Sequence, residues 1–325
     1  MRSGSHPLVS VITPVYNCED FLAECIESVM AQTYQNWEHC IVNNCSTDRT
    51  LEIAEAYAKK DKRLRIHNNS NFVSAGQNGN IAFRQVALNS VYCKVVHADD
   101  WLFPECLMKM VELAEAHSTV AVVGAYSLVG DRVSWDGLPY TSSVVSGREI
   151  SRWILLGRPY VFGSPTAHLL RSDLVRASES FYDESNIHRD SEACLRILSS
   201  WDFGFVHQVL TYIRIREGDG RSFCKQYNTY LPNNIDRLLK FGPAVLSQEE
   251  LSARLKYYWT KYYDHLAVSL LMLREKEFWA YHREEMKRMG HPLSLPRLAI
   301  AVCSMAMDYL LNPKRTVEGL LKKIR

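Results

Sequence analysis

Two adjacent carboxylates, Asp99 and Asp100, stand where the apolar run Val95-Val96 stops, with His97 just before them and Pro104 shortly after. Neighbouring acids repel unless a cation or hydrogen-bond donors lie between them. A divalent cation shared with a substrate phosphate meets that need, because Mg2+ commonly takes one or two carboxylates and completes its shell with phosphate oxygens and water. The plainer reading is an Asp-Asp turn that opens the next helix. Two other β-type runs end in polar clusters, at residues 13–17 (Thr-Pro-Val-Tyr-Asn) and 43–48 (Asn-Asn-Cys-Ser-Thr-Asp). Three such ends on one edge of a sheet would form a ligand-binding rim.

Periodicity supplies the elements that would place them there. Residues 9–13, 37–42, 64–67, 92–97 and 120–125 read as strands. Phe21, Leu22, Cys25, Ile26, Val29 and Met30 share one helical face, and Leu51, Ile53, Ala54, Tyr57 and Ala58 mark a second helix. Further helices are expected at residues 74–88 and 104–116. This alternation predicts an α/β fold, a mostly parallel sheet with helices on both faces and right-handed crossovers. Residues 126–215 are less regular: a Gly/Pro/Ser-rich stretch at 131–147, an amphipathic piece at 150–156, a turn and strand within 163–174, a helix opened by Asp190, and a strand at 203–215. From about residue 231 the pattern is helical throughout. The expected division is 1–222 for the α/β domain and 223–325 for a helical C-terminal region.

The chain has 325 residues, 47% hydrophobic and 23% charged, enough for a large core and two substructures. Its net charge of +2 conceals an asymmetry: residues 251–325 hold 14 Lys and Arg against 7 Asp and Glu, leaving 24 against 29 in the rest. A basic tail suits an anionic partner, such as a membrane surface or a polyanionic substrate, or it is a solvated helical face. The best candidate for a membrane span, residues 298–311, contains Asp308 and is shorter than the roughly 20 apolar residues a span needs. Flanked by Arg297, Lys314, Arg315, Lys322, Lys323 and Arg325, it fits an interfacial helix or one packed on its own domain. Nine Cys without Cys-x-x-Cys spacing read as reduced cysteines of a cytoplasmic protein, neither a disulfide frame nor a zinc site. Residues 1–7 lack the apolar stretch of a signal peptide.

No Gly-x-Gly-x-x-Gly or P-loop motif occurs, and Gly76-x-x-Gly79 alone carries little. What does occur, in order, is Val9-Ser-Val-Ile-Thr-Pro-Val-Tyr-Asn17, Ser28-Val-Met-Ala-Gln-Thr-Tyr34, Ile41-Val-Asn-Asn-Cys-Ser-Thr-Asp-Arg-Thr50 and His97-Ala-Asp-Asp-Trp-Leu-Phe-Pro104. Over about residues 7–215 this resembles a family 2 glycosyltransferase of the GT-A fold. The resemblance implies inverting transfer of a sugar from a nucleotide-diphosphate sugar, a UDP-sugar in the first instance, to a hydroxyl of a glycan, lipid-linked or polysaccharide acceptor.

The resemblance also implies roles. Pro14 and Tyr16 would contact the base, Tyr16 by stacking, where the alternative is a core aromatic at a strand end. The two Asp usual after the second strand are here Asn43 and Asn44. The Asn44 amide could accept the uracil N3 proton or donate to a base carbonyl, without the strength a charge adds. Asp48 reads as a helix cap. Gln77 and Asn78 would border the nucleotide pocket. Matching assigns Mg2+ or Mn2+ to Asp100 and the ribose or a metal-bound water to Asp99, so both are candidate metal contacts. His97 stands where another Asp is frequent, and is either a ligand or phosphate donor or a histidine buried at the strand end. The cation would neutralise charge on the leaving nucleoside diphosphate. The base that takes the acceptor proton matches Asp190, with Arg189 where the family has Glu and Glu192 pointing elsewhere on the helix. Arg214 matches an Arg near the diphosphate. Arg216 stands where His is frequent, and its guanidinium could bind phosphate directly. Residues 163–165 would line the acceptor side.

Two other functions compete. A sugar-phosphate nucleotidyltransferase would want a Gly-rich loop after the first strand, and residues 13–17 have none. A non-catalytic nucleotide-sugar-binding protein would explain Asn43, Asn44 and His97, but not the retention of Asp99, Asp100 and Asp190. The expected partners are a nucleotide-sugar and a glycan or lipid-linked acceptor, with no nucleic acid. The basic C-terminal helices are left to a membrane surface, a second copy or the acceptor chain, and the expected location is the cytoplasm or the cytoplasmic face of the membrane.

Overall fold

The computed structural model describes residues 6–135, 137–216 and 220–311. They form two compact units that part after Arg216. The basic residues beyond 311 lie outside the described residues.

In the first unit β1 (Val9–Val15), α1 (Leu22–Met30), β2 (Trp37–Asn43), α2 (Thr50–Lys60), β3 (Leu64–Asn68), α3 (Ala75–Arg84) and β4 (Tyr92–Val95) alternate strictly. The chain continues through β5 (Trp101–Leu102), α4 (Cys106–Ala116), β6 (Val120–Val129), β7 (Arg132–Ser134), β8 (Val144–Val145) and α5 (Gly147–Leu155). After a 3-10 turn at Pro165–Ala167 come β9 (Leu169–Arg171), α6 (Ser172–Arg176), α7 (Arg189–Ile197) and β10 (Asp202–Ile213).

The strands make one sheet in the order β3-β2-β1-β4-β9-β6-β10-β5, with β7 on β6 and β8 on β10. β3, β2, β1 and β4 pair in parallel, as do β6 and β10. β9 runs antiparallel to both β4 and β6, so the six longer strands share one direction and the sheet is mostly parallel, as the alternation predicts. The β1–β4 ladder ends at Ile12, two residues before Pro14. Because β2 lies on one side of β1 and β4 on the other, the gap above that ladder is the topological switch point, where open α/β sheets bind ligands.

The core follows the apolar pattern. β1 is buried along nearly its whole length, as befits a central strand covered on both faces. α1 buries Leu22, Cys25, Ile26 and Val29 in a cluster with Val11, Trp37, Leu107 and Met110. Each such aliphatic side chain contributes roughly 1.5–3 kcal/mol on burial. α3 is set by a capping box: the Ser74 hydroxyl accepts from the Gln77 amide, and Gln77 Oε1 accepts from the Ser74 amide. α5 starts at Gly147, where a Cβ would stand 2.0 Å from the Trp201 carbonyl oxygen, so only glycine fits. The nine cysteines are free thiols, seven of them buried.

The second unit is helical: α8 (Gly220–Tyr227), α9 (Tyr230–Val245), α10 (Gln248–Leu271), α11 (Lys276–Arg288) and α12 (Leu295–Leu311). α10 packs between α9 and α12 around Ile235, Tyr262, Leu266, Phe278 and Met286. Among the described residues no helix is long and apolar enough to cross a membrane.

Candidate active site

The switch point opens into a cleft of about 440 Å3 lined by the ends of β1 and β4, the first turns of α3, and the residues that open α7. Pro14, Tyr16, Asn44, Asn78, His97 and Asp190 all lie on its wall, and Pro165 lies there too. Asp99, Asp100, Gln77 and Arg214 do not line it.

Tyr16 is exposed and meets the edge of Phe72, with ring centroids 4.8 Å apart. This corrects the core-aromatic alternative for Tyr16. Phe72 was not anticipated from sequence. Its signal is a large aromatic in an otherwise polar loop after the third strand. Asn17 holds the β1 end open with φ 45, a left-handed conformation that asparagine tolerates. Its side chain accepts from the Thr47 amide at 2.8 Å, tying the first polar strand end to the second. Asp48 stands one residue before the N-cap of α2, Arg49, and accepts from the Thr50 amide at 3.0 Å and the Glu19 amide at 3.1 Å.

Asn44 is buried, and its amide is largely committed. Its Oδ1 accepts from the Val73 amide and from Asn69 Nδ2, both at 3.0 Å, while its Nδ2 donates to the Val73 carbonyl at 2.8 Å. The paired bonds to Val73 fix which way the amide points. Both carbonyl lone pairs are therefore taken, and what remains for a base is one N–H. Acceptance of a uracil N3 proton by Asn44 does not fit this geometry. Asn69 Nδ2 also donates to Asn78 Oδ1 at 2.9 Å, making a chain of three amides under the cleft. Asn69 Oδ1 is buried without a partner among the described residues. Asn69 was not singled out from sequence, although it sits in a polar run directly after a parallel strand. Asn78 takes the bordering place expected of it, but Gln77 is exposed and spent on the capping box. As third residue of the helix it reaches back to Ser74 and away from the cleft.

His97 also lines the cleft, with its side chain 42% exposed, which corrects the buried-histidine alternative. Its Nδ1 lies 3.9 Å from Asp100 Oδ2. Asp100 is buried; Oδ2 accepts from the Thr166 hydroxyl at 2.6 Å and Oδ1 from the Arg214 amide at 3.0 Å. Burial pushes its carboxyl above the usual carboxylate range, opposed by His97 and the Thr166 hydroxyl. Asp99 is the more accessible acid, 19% exposed, with Oδ2 on Arg216 Nε at 2.8 Å. The accessibility of the two acids is thus the reverse of what the expected division of roles requires.

Arg214 does not reach the cleft. Its Nε donates to the Asp99 carbonyl at 3.0 Å, its other end pairs with Glu24, and it lies on the Phe21 ring. It braces the acid loop from behind, helped by Trp101 stacked on Tyr212 at 3.7 Å. Beneath the loop Lys94 is fully buried, donating to the Thr166 carbonyl at 2.5 Å, and burial holds its pKa below the usual lysine range. Lys94 thus fixes Thr166, which in turn holds Asp100 and accepts from the His97 amide at 3.1 Å.

Asp190 is partly buried in the first turn of α7. Burial raises its pKa, opposed first by backbone amides at the helix start and then by His97 and Arg189. The turn that delivers it is stapled to α3 by Asn80, whose amide accepts from the Tyr182 amide at 2.8 Å and donates to the Tyr182 carbonyl at 3.0 Å.

Residues 10–177 match the family model described as Glycosyl transferase family 2. The chain belongs to glycosyl transferase family 2. It is 32% identical over 239 residues to the putative glycosyltransferase EpsE of Bacillus subtilis, covering 72% of this chain and 81% of that one. It is 25% identical over 322 residues to the chondroitin synthase of Pasteurella multocida, spanning 98% of this chain but 30% of that larger protein. Among solved structures it resembles S. aureus TarS residues 1–349 in complex with UDP, with a TM-score of 0.62 at 18% identity, covering 86% of this chain and 79% of that one. That likeness speaks to the fold, which is the GT-A architecture. The protein is therefore a glycosyltransferase, and the nucleotidyltransferase and non-catalytic readings fall away.

For a family 2 enzyme the donor set for a cation is sparse. Among the described residues no group of three or more His, Cys, Asp or Glu is arranged to hold a metal. Asp99 has one carboxylate oxygen engaged by Arg216, and His97 is close by in sequence and open to the cleft. Such a set fits a cation held chiefly by phosphate oxygens and water, and does not fit an all-protein cage.

Proposed function

We propose that the first unit transfers a sugar, with inversion, from a nucleotide-diphosphate sugar to a hydroxyl of a glycan, lipid-linked or polysaccharide acceptor. The observation that carries this is one cleft whose wall holds Tyr16, Phe72, Asn44 and Asn78 together with His97 and Asp190. Tyr16 and Phe72 take the base, and the free N–H of Asn44 donates to a base carbonyl. A uridine donor is the reading favoured by the TarS complex with UDP, a property of that protein.

Asp190 takes the acceptor proton as the hydroxyl attacks the anomeric carbon. Its raised pKa suits a base, since proton transfer is most effective when the catalytic pKa lies near the working pH. Asp99 and Asp100 would hold Mg2+ or Mn2+, with His97 beside them, its Nδ1 3.9 Å from Asp100 Oδ2. When bound, the cation offsets charge on the departing diphosphate. Arg216 moves from Asp99 to a phosphate oxygen or stays to orient the carboxylate.

The test is a panel of nucleotide-sugars scored for Mn2+-dependent hydrolysis. Turnover that vanishes in Asp190→Asn while UDP binding survives supports the reading. Turnover unchanged in that variant, or failure of the chain to bind UDP, sinks it.

The relatives' names point to polysaccharide synthesis, and the second unit suggests where it happens. α12 exposes Ile300, Met307 and Leu311. The sequence after it holds Lys314, Arg315, Lys322, Lys323 and Arg325. We read this as peripheral contact with an anionic membrane face on the cytoplasmic side. Co-sedimentation with phosphatidylglycerol vesicles, lost in Ile300→Glu/Met307→Glu, supports it; a stable dimer without vesicle binding replaces it.

A further inference from the structure

The cleft wall contains a cation that the chemistry above does not use. Arg189 lines the cleft directly before Asp190. Among the described residues its guanidinium makes no ion pair, and its hydrogen bond to the Asn186 carbonyl is long, at 3.4 Å. The arginines near Asp99 are all spent: Arg214 on Glu24 and the Asp99 carbonyl, Arg216 on the Asp99 carboxylate.

Three observations indicate that Arg189 is placed for a ligand. First, Gly76 in α3 leaves room for it, since a Cβ there would stand 3.0 Å from Arg189 Nη1. Second, a neighbouring acid is engaged elsewhere: Glu184 has its backbone beside Gly76, but its carboxylate accepts from Asn80 at 3.0 Å. Third, a cation in the first turn of α7 opposes the helix dipole, an unfavourable place for a charge with no partner. Among the described residues the charged or ionisable side chains on the cleft wall besides the tyrosines are His97, Arg189 and Asp190. A neutral hexose between them would leave the guanidinium unpaired beside the base.

We propose that Arg189 receives the carboxylate of a hexuronate bound at the reaction centre, so that one of the two sugars joined by this enzyme is a uronic acid. A planar guanidinium matches a carboxylate through two parallel hydrogen bonds, a fit no neutral hydroxymethyl group can give. The pairing has a second effect. Arg189 lowers the proton affinity of Asp190; a substrate carboxylate that neutralises it restores the base when the correct sugar is in place.

The inference rests on the proposed transfer and is separable from it. With the full chain and Mn2+, UDP is titrated first by calorimetry. The donor arm then compares UDP-glucuronate with UDP-glucose. The acceptor arm compares methyl β-D-glucuronide with methyl β-D-glucoside in the presence of UDP. The uronate is expected to bind tighter by about tenfold in one arm, with the ratio falling to about twofold or less in Arg189→Gln and partly kept in Arg189→Lys. No uronate preference in either arm of the wild type overturns the inference while UDP binding leaves the transferase reading standing. A preference that persists in Arg189→Gln overturns it as well. Absence of UDP binding removes both.

Discussion

The two ends of the cleft are built from different materials. The proposed nucleotide end is made of neutral amides that largely satisfy one another: Asn17 on Thr47, Asn44 on Val73, and Asn69 on Asn44 and Asn78. The proposed reaction end is made of charged groups that do not: Arg189 lacks an ion pair among the described residues, and Asp190 is raised by burial, while Asp99, which is not on the cleft wall, has one oxygen engaged by Arg216. An amide lattice with most of its bonds made holds its shape before a ligand arrives. Buried charge that is incompletely paired is costly in the free protein and becomes favourable when substrate completes it. On the proposed reading, shape recognition and chemistry fall to different residues of one cavity.

The largest effect is expected at the reaction end. Asp190→Asn should lower turnover by roughly 10²–10⁴-fold with UDP affinity nearly unchanged, read by steady-state kinetics and calorimetry. A comparable loss of UDP affinity would mean that the two ends are not separate. Because the base acts ionised and burial raises its pKa, kcat/KM should fall as pH drops through a value above the ordinary 3.8 of an aspartate. A pH profile that stays flat down to 4 breaks the assignment.

Next in size, Thr166→Val removes the hydroxyl from a buried carboxylate. It should destabilise the fold by about 1–3 kcal/mol in urea unfolding and weaken Mn2+-dependent turnover as well. At the amide end, Asn44→Ala removes the bonds to the Val73 amide and carbonyl and one of the two that Asn69 Nδ2 makes. It should also cost about 1–3 kcal/mol, with UDP affinity falling in parallel. Asn44→Asp should fare no better, because a carboxylate cannot donate to the Val73 carbonyl. Recovery of both stability and UDP binding in Asn44→Asp would refute the lattice. Smallest, Tyr16→Ala should weaken UDP by about 1 kcal/mol without changing stability, since the ring is exposed.

The alternating half of the fold was legible because hydrophobic period and polar strand ends are local. β1, β2, β3, β4 and the helices between them fall where Val11, Ile26, Ile41 and Leu64 place them. Which polar residue does which job was less legible, because partners are set by distant chain. Nothing near Arg214 in sequence announces Glu24 and the Asp99 carbonyl. Nothing near Asn44 announces that Val73, 29 residues on, will occupy its amide. Gln77 belonged to a capping signature, Ser74-Ala-Gly-Gln77, that the sequence displays and that a pocket assignment overlooked. In residues 126–215 the short strands β7, β8 and β9 have two or three residues each, too few to show a period.

The strand β9 has a bearing on how the chain is made. It pairs with β4 through residues 171, 170 and 169 and with β6 through residues 170 and 169. During synthesis β4 and β6 emerge well before it, each with an unpaired edge and both pointing the same way. Direct parallel pairing of β6 on β4 is therefore the nearest misfold, and it would shut β9 out of the sheet. Chains that stop between residues 130 and 168 carry that open edge permanently and should aggregate. Correct assembly waits on Leu169-Leu170-Arg171, a three-residue wedge that must arrive before the two half-sheets find each other.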